Sequence, residues 1–292
     1  MGKKDNLRIL IIGNRGYIGR ELLHEIKKQK IEYLAIDKEY QKGPRELSFN
    51  VRNLKPILET ITTFKPNIIL HGGTYSAADY QNSFFNSFSE DFQALSNILK
   101  ALSKIKTCKL IYFSSSYVYS GLANDKATEE TPLRPQHSFG VGKSFFEQFI
   151  LRNHQNSVVF RLSSVFGQGF AKNPNTIFNF IKEAKKAGQI IIWGTGKRKI
   201  QYIYMKDVIR YAFEAFHFDP GIYNLGGDEY ASIEEATKKI ANFFKAKVIF
   251  LKNKPEGETL PFMANDKIKA TLSNISFTPF FPALTEFLNS YE

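Results

Sequence analysis

Three glycines spaced three apart, Gly13, Gly16 and Gly19, close the apolar run Ile9-Leu10-Ile11-Ile12, and Leu22, Leu23 and Ile26 follow at helical spacing. The pattern predicts a strand, a tight turn and a helix start. Backbone N–H groups in such a turn can approach a pyrophosphate, and the helix N-terminus adds partial positive charge. A Cβ on these glycines would obstruct, in turn, the tight turn, the approach of the ligand, and helix–strand packing. About 20 residues on, a carboxylate should meet the adenine ribose. The stretch Tyr33-Leu34-Ala35-Ile36-Asp37 ends on one. The expected chemistry is dinucleotide binding, by Gly13, Asn14, Arg15, Gly16, Tyr17, Ile18 and Gly19 with Asp37.

These residues need a scaffold, and the rest of the chain supplies one. Lys55 to Phe64 reads as a helix with Ile57, Leu58 and Ile61 inward. Asn67 to His71 is a buried strand followed by the turn Gly72-Gly73-Thr74. Glu90 to Ile105 is a long amphipathic helix, and Lys109 to Phe113 a strand running into Ser114-Ser115-Ser116-Tyr117-Val118-Tyr119. Gly142 to Leu151 is a helix and Ser157 to Leu162 a further strand. Strands alternating with helices at this spacing imply a parallel sheet covered on both faces. Ligands of such sheets sit beyond the carboxyl ends of the strands, where Asp37, Gly72 to Thr74, Ser114 to Tyr117, Ser163 and Ser164 all fall.

Beyond Gly167 the pattern changes. Helices are expected within Pro174 to Gly188, at Asp207 to Phe216, at Ser232 to Phe244 with a Ser232–Glu235 capping box, and at Ala283 to Leu288. Strands are expected at Gln189 to Trp193, Tyr223 to Leu225 and Lys247 to Leu251.

Composition narrows the function classes. The 292 residues are 43% hydrophobic, enough for a substantial core. The net charge of +12 is spread over scattered lysines on helix faces, which argues against nucleic acid. No run is long enough to span a membrane, and the first 20 residues hold no secretory apolar region. The single cysteine, Cys108, excludes an internal disulfide framework and fits a reducing cytoplasm; it reads as structural. No metal is expected.

Together these motifs make the chain resemble an extended short-chain dehydrogenase/reductase, of the NAD-dependent epimerase/dehydratase family that modifies nucleotide sugars. The matching pieces occur in the family's order: Gly13-x-x-Gly16-x-x-Gly19, Asp37, Asn50-Val51, His71-Gly72-Gly73-Thr74, Ser114 to Tyr119, Lys143, Arg161 to Gly167, and Tyr202 to Val208. The resemblance implies that Asn50, Val51, Gly72, Gly73, Thr74, Ser114 and Ser164 also contact the cofactor. It implies that Ser115 holds the reacting sugar oxygen and that the Lys143 ammonium binds the nicotinamide ribose. Asp37 favours NAD by repelling a 2′-phosphate, while Arg15 and Lys38 leave NADP as the alternative. For the substrate it points to Tyr75, Ser115, Ser116 and Asn173, with Asp79 also near the hexose. Arg198 and Lys199 flank Ile200, which stands where relatives carry a diphosphate-binding arginine. Asn173 has a second reading as the cap of the following helix.

One position departs from the family. Four residues before Lys143, where relatives carry the tyrosine that moves the proton, stands Phe139. Three readings remain: another group moves the proton, Tyr117 first and then His137 or Tyr75; the protein binds cofactor and nucleotide sugar without turnover; or Phe139 is an engineered Tyr→Phe change that traps a substrate complex. Losing one general acid/base typically lowers a rate ~10²–10⁴-fold without abolishing it. The catalytic set is therefore Ser115, Tyr117, Phe139 and Lys143.

The fold class expected is α/β: a Rossmann-type doubly wound parallel sheet with a smaller α/β C-terminal substrate lobe. Residues 1–165, with 201–223 returning, form the dinucleotide-binding domain; 166–200 and 224–292 form the lobe. The resemblance implies a cytoplasmic oxidoreductase or epimerase of polysaccharide biosynthesis, acting on the hexose of a nucleotide sugar through 4-keto chemistry with NAD (or NADP). Dehydration fits less well, because Ser116 and Tyr117 stand where relatives that dehydrate carry an Asp–Glu pair. A homodimer through Glu90–Ile105 and Gly142–Leu151 is the expected assembly.

Overall fold

The structure is a computed structural model that describes residues 7–39, 43–123, 125–169, 172–272 and 276–291. The expectation of no secretory leader rests in part on residues 1–6, which lie outside the described residues. The strands are β1 (Arg8–Ile12), β2 (Glu32–Asp37), β3 (Glu46–Ser48), β4 (Ile68–His71), β5 (Lys109–Ser115), β6 (Lys126–Ala127), β7 (Ser157–Leu162), β8 (Ser164–Phe166), β9 (Gln189–Trp193), β10 (Lys199–Tyr204), β11 (Gly221–Leu225), β12 (Tyr230–Ser232), β13 (Lys247–Leu251) and β14 (Phe262–Met263). The helices are α1 (Tyr17–Lys28), α2 (Leu54–Phe64), α3 (Ala77–Asn82), α4 (Phe84–Leu102), α5 (Ser138–Asn153), α6 (Thr176–Ala187), α7 (Met205–Glu214), α8 (Ile233–Phe244), α9 (Asp266–Thr271) and α10 (Phe280–Asn289).

Seven strands form one sheet in the order β11-β7-β5-β4-β1-β2-β3. From β5 to β3 the neighbours run parallel. The order reverses between β1 and β4, and a crevice opens at such a switch point beyond the strand ends. Strands β1, β4 and β5 are apolar along almost their whole length, as strands covered on both faces must be. Leu10, Ile12, Ile69 and Leu110 pack there against Leu95, Ile98 and Leu102 of α4. This is the α/β class and doubly wound parallel sheet expected from the sequence.

The chain divides into two compact units: residues 1–121, 133–161 and 209–223, and residues 122–132, 162–208 and 224–292. The first holds the large sheet. In the second, β8 and β12 flank β10, β9 pairs with β13, and β6 with β14. Its core gathers Phe166, Ile177, Ile181, Tyr202, Ile240, Phe280 and Phe287. The segments 122–132, 162–165 and 201–208, expected with the first unit, lie in the second.

Several boundaries differ from the expected ones. Strand β3 lengthens the sheet by one edge. The helix expected from Glu90 begins at Phe84, where Phe84 and Phe88 extend its apolar stripe, and α3 precedes it. The helix expected from Gly142 begins at Ser138, because His137 caps it. Phe139 and Lys143 therefore lie one helical turn apart on the same face of α5.

Candidate active site

The glycine corner is built by contact between two strand ends. Gly13 adopts φ +82°, and a Cβ there would overlap Gly73. Gly13, after β1, thus abuts the Gly72-Gly73 turn after β4, at the point where the strand order reverses. At Gly19 a Cβ would overlap the Gly13 carbonyl, so α1 lies against the turn. Gly16 is the N-cap of α1. No side chain among the described residues caps that helix, and no acid occupies its first turn. The corner keeps the positive end of a helix dipole beside backbone that approaches without side chains. Asn14 is buried there. Asp37, at the end of β2, accepts the Arg15 N–H at 3.1 Å and the Glu39 N–H at 3.2 Å. The Arg15 guanidinium pairs with Glu39 at 3.3 Å, and Lys38 lies 5.4 Å from the Tyr75 ring centroid. Val51 is buried, and Asn97 of α4 donates to the carbonyls of Val51 and Arg52 at 3.1 and 2.7 Å; Asn50 accepts the Arg52 N–H.

Lys143 points from α5 into this corner. Its Nζ donates to Thr74 Oγ1 at 3.1 Å, Tyr112 Oη at 3.0 Å and the Phe113 carbonyl at 2.9 Å. Complete burial pushes its pKa down to about 8, against the opposing pull of Asp91 and Glu147. Asp91, on α4, accepts from Tyr80 Oη at 2.9 Å and from the Tyr75 N–H at 3.2 Å. Burial pushes its carboxyl up to about 6, although Lys143 and the Tyr80 hydroxyl favour the charged form. His71 is driven down to about 3 by burial and by Lys143; its Nδ1 is buried without a partner among the described residues.

The serine run divides by side. Ser115 Oγ accepts the Tyr117 N–H at 3.3 Å and so caps the single turn at Ser116–Tyr119. Ser114 points the other way: its hydroxyl donates to Glu147 Oε1 at 2.5 Å inside the core. Ser114 and Ser115 face opposite sides, as alternate residues of a strand do, so the Ser114 hydroxyl is committed to Glu147. Glu147, one turn after Lys143, also grips Arg161 through three bonds of 3.1, 3.1 and 2.7 Å, and Arg161 Nη1 reaches Tyr119 Oη at 2.5 Å. Both charges are essentially inaccessible, with side-chain exposures of 2% and 0%. Burial opposes the Arg161 charge, but the bonds to Glu147 outweigh it and raise the pKa of the guanidinium.

The ring of Phe139 meets Tyr80 edge-on at 5.4 Å and Tyr117 at 6.2 Å, centroid to centroid, with Lys143 Nζ 5.2 Å from its centre. Lys143, Ser115, Tyr117, Phe139, Tyr75 and Thr74 thus gather on the first unit with the glycine corner. Tyr75 donates to Glu90 at 2.5 Å, and that bond, with burial, raises its pKa to about 12. Asp79 is committed to a capping box with Ser76, since Ser76 Oγ donates to it at 2.7 Å, so it is a structural cap of α3 rather than a free group beside the hexose. Cys108 is buried, and burial raises its thiol to about 12, as a structural cysteine should be.

The remaining expected residues belong to the second unit. Asn175, not Asn173, caps α6, accepting the N–H groups of Ile177 and Phe178 at 3.1 and 3.4 Å; Asn173 is exposed. Arg198 Nε donates to the Glu258 carbonyl at 2.9 Å, while Glu256 accepts the Arg198 N–H at 2.7 Å. Lys199 is exposed. Ser164 lies 3.4 Å from Asn175 Nδ2, and the Ser163 hydroxyl is buried without a partner among the described residues. Sequence reading missed Asp91, Asn97, Glu147 and Tyr112; Glu147 carried a usable signal, an acid one turn beyond Lys143 on an otherwise inward face.

Known proteins resemble the chain over most of its length. The family model described as "NAD dependent epimerase/dehydratase family" matches residues 9–226. The spore coat polysaccharide biosynthesis protein SpsK of Bacillus subtilis (strain 168) is 21% identical over 231 residues, 77% of this chain and 75% of that protein. The uncharacterized UDP-glucose epimerase YtcB of the same organism is 26% identical over 254 residues, 78% and 79% of the two chains. Among solved structures, UDP-glucose 4-epimerase of Thermus thermophilus, complexed with NAD, shares the fold with a TM-score of 0.84 at 17% identity, covering 98% of this chain and 99% of that one.

Proposed function

The chain belongs to the NAD dependent epimerase/dehydratase family, and from that premise we propose that it is an NAD(P)-dependent enzyme that oxidises, reduces or epimerises the hexose of a nucleotide sugar at a ring carbon. One observation carries the reading. The Lys143 ammonium is held against Thr74 directly after the Gly72-Gly73 turn that faces Gly13. An ammonium beside a side-chain-free corner fits a dinucleotide whose pyrophosphate meets the backbone and whose ribose meets Lys143. When bound, the dinucleotide supplies or takes the hydride.

The chain's own groups do the rest. Gly13, Gly16 and Gly19 keep the corner open, and Asp37 accepts the adenine ribose hydroxyls. NAD is the preferred form, since Arg15 is drawn onto Glu39. Asn50, Val51, Gly72, Gly73 and Ser164 complete the cofactor set. Ser115, whose own proton bonds no described residue, orients the reacting oxygen. Tyr117 moves its proton, because the Tyr117 hydroxyl likewise has no partner among the described residues. Tyr75, Ser116, Asn173, Arg198 and Lys199 are the groups proposed to meet the nucleotide sugar. We place the protein in the cytoplasm as a homodimer. Phe85, Phe92, Val141 and Phe145 on α4 and α5 are exposed and fit the seam with a second copy.

A second reading, binding without turnover, is favoured by Phe139. Incubating the protein with NAD or NADP, oxidised or reduced, and a panel of UDP-, dTDP- and GDP-sugars while following nicotinamide absorbance and sugar products decides between them. Turnover supports the enzyme; tight binding of both ligands with no product supports the second reading. Phe139→Tyr restores a phenol and is expected to raise the rate at least tenfold; a gain of about 10²-fold or more would mark Phe139 as the replaced acid of a trapped enzyme.

A further inference from the structure

Tyr80, Tyr117 and Lys143 border the ring of Phe139 and His137 stacks on Tyr117; the four side chains differ in whether a hydrogen-bond donor is left over. The Tyr80 hydroxyl is committed to Asp91. The three Lys143 protons are directed at Thr74, Tyr112 and Phe113. Tyr117 keeps its hydroxyl. His137 stacks on Tyr117, with centroids 4.3 Å apart and planes 35° apart, and its Nε2 bonds no described residue.

The imidazole is held on two sides. Its Nδ1 accepts the Phe139 N–H at 3.1 Å, and its backbone N–H donates to Ser120 Oγ at 3.0 Å. An Nδ1 that accepts leaves the ring proton on Nε2. The positive end of the α5 dipole opposes a second proton, and burial lowers the pKa further, so the ring stays neutral at pH 7. Tyr117 is the titratable group stacked on it. A cap alone does not call for an imidazole: Asn, Asp, Ser or Thr performs it with a shorter side chain. What histidine adds is an N–H on the ring nitrogen away from the cap, on a ring stacked against Tyr117.

We propose that His137 is a neutral hydrogen-bond donor to the reacting sugar oxygen, taking over the polarising half of the role that a phenol at position 139 would perform, while Tyr117 keeps the proton-transfer half. This deepens the reading above and rests on it. In the reducing direction, the hydride that a bound reduced dinucleotide would supply forms a C–H bond at the sugar carbonyl carbon as the C=O π pair moves to oxygen; there an O–H bond forms as the Tyr117 O–H bond breaks, and solvent reprotonates the phenolate. The Nε2–H bond stays intact throughout and stabilises the charge that develops on that oxygen.

His137→Asn separates this role from capping, since Asn still offers an acceptor to the Phe139 N–H. The variant is expected to keep its melting temperature and its affinity for NAD, and to lose about 10²–10³-fold in kcat with the active nucleotide sugar. Long-range ¹H–¹⁵N NMR of the full chain should show His137 neutral with its proton on Nε2 at pH 7. A proton on Nδ1, an imidazolium at pH 7, or undiminished turnover in a folded His137→Asn protein would overturn the proposal and leave the functional reading standing. No turnover in the unsubstituted protein, with any sugar of the panel, would remove both.

Discussion

Asp91 and Lys143 show at the residue scale how burial tunes a site. Asp91 has its pKa raised from 3.8 to about 6. A raised carboxyl binds its proton more tightly in the folded chain than in the unfolded one. Its ionisation therefore costs stability above pH 6, and that cost vanishes below about pH 4. Asp91→Asn keeps an acceptor for Tyr80 and Tyr75 without the charge. Its expected effect is a gain of about 1–3 kcal/mol at pH 7 that disappears by pH 4, read by thermal melts across that range. A variant less stable than the parent at pH 7 would contradict the assignment. Residues in a contiguous motif, such as Gly13 or Ser115, were legible because their spacing is itself the signal. Asp91 and Asn97 were not. On α4 each looks like an ordinary polar helix position, and only tertiary packing buries it.

At the scale of elements, α5 is pinned near its start and again in its interior. Near its start Gly140 lies against the Tyr117 carbonyl, which a Cβ would overlap. Farther along, the Glu147–Arg161 pair ties α5 to β7, with Ser114 tying it to β5 and Tyr119 joined to the same Arg161. Glu147→Ala leaves Arg161 charged, buried and uncompensated, and is expected to lower unfolding stability by about 3–5 kcal/mol in a urea titration. A loss under about 1 kcal/mol would mean that the pair is hydrated. Gly140→Ala raises intrinsic helix propensity by about 1 kcal/mol, yet is expected to destabilise, because α5 must move off the Ser116–Tyr119 turn. Element types were read correctly from apolar periodicity, but the ends were less legible. Lys30, Lys65 and Lys245 close helices with φ of 49–56°, where glycine would have announced the stop. His137 is an uncommon cap, which hid the first turn of α5 and with it the helical placement of Phe139.

At the scale of the whole molecule, the order β11-β7-β5-β4-β1-β2-β3 determines where β1 and β4 part, the point beyond which ligands of such sheets sit. The parallel, doubly wound class of the sheet was legible in the alternation of strand and helix patterns, and its strand order was not. The edge strand β3 was not, being three residues of mixed polarity. No helix among the described residues is long and apolar enough to cross a membrane. The aromatic seam on α4 and α5 is stacked internally, Phe88 on Phe92 and Phe145 on Phe149, yet Phe85 remains 84% exposed. With Phe92→Glu and Phe145→Glu combined, sedimentation equilibrium should report a monomer where the parent reports a dimer; a parent that is itself monomeric would refute the proposed seam.

On the proposed reading, the Gly13–Gly73 corner and Lys143 together hold a nicotinamide dinucleotide. Isothermal titration calorimetry of the full chain with NAD, and separately NADP, decides it. Saturable binding at one site per chain is expected, weakened at least tenfold by Lys143→Met in a protein that still melts cooperatively. No heat and no shift in melting temperature with either dinucleotide, or binding indifferent to Lys143→Met, would contradict it.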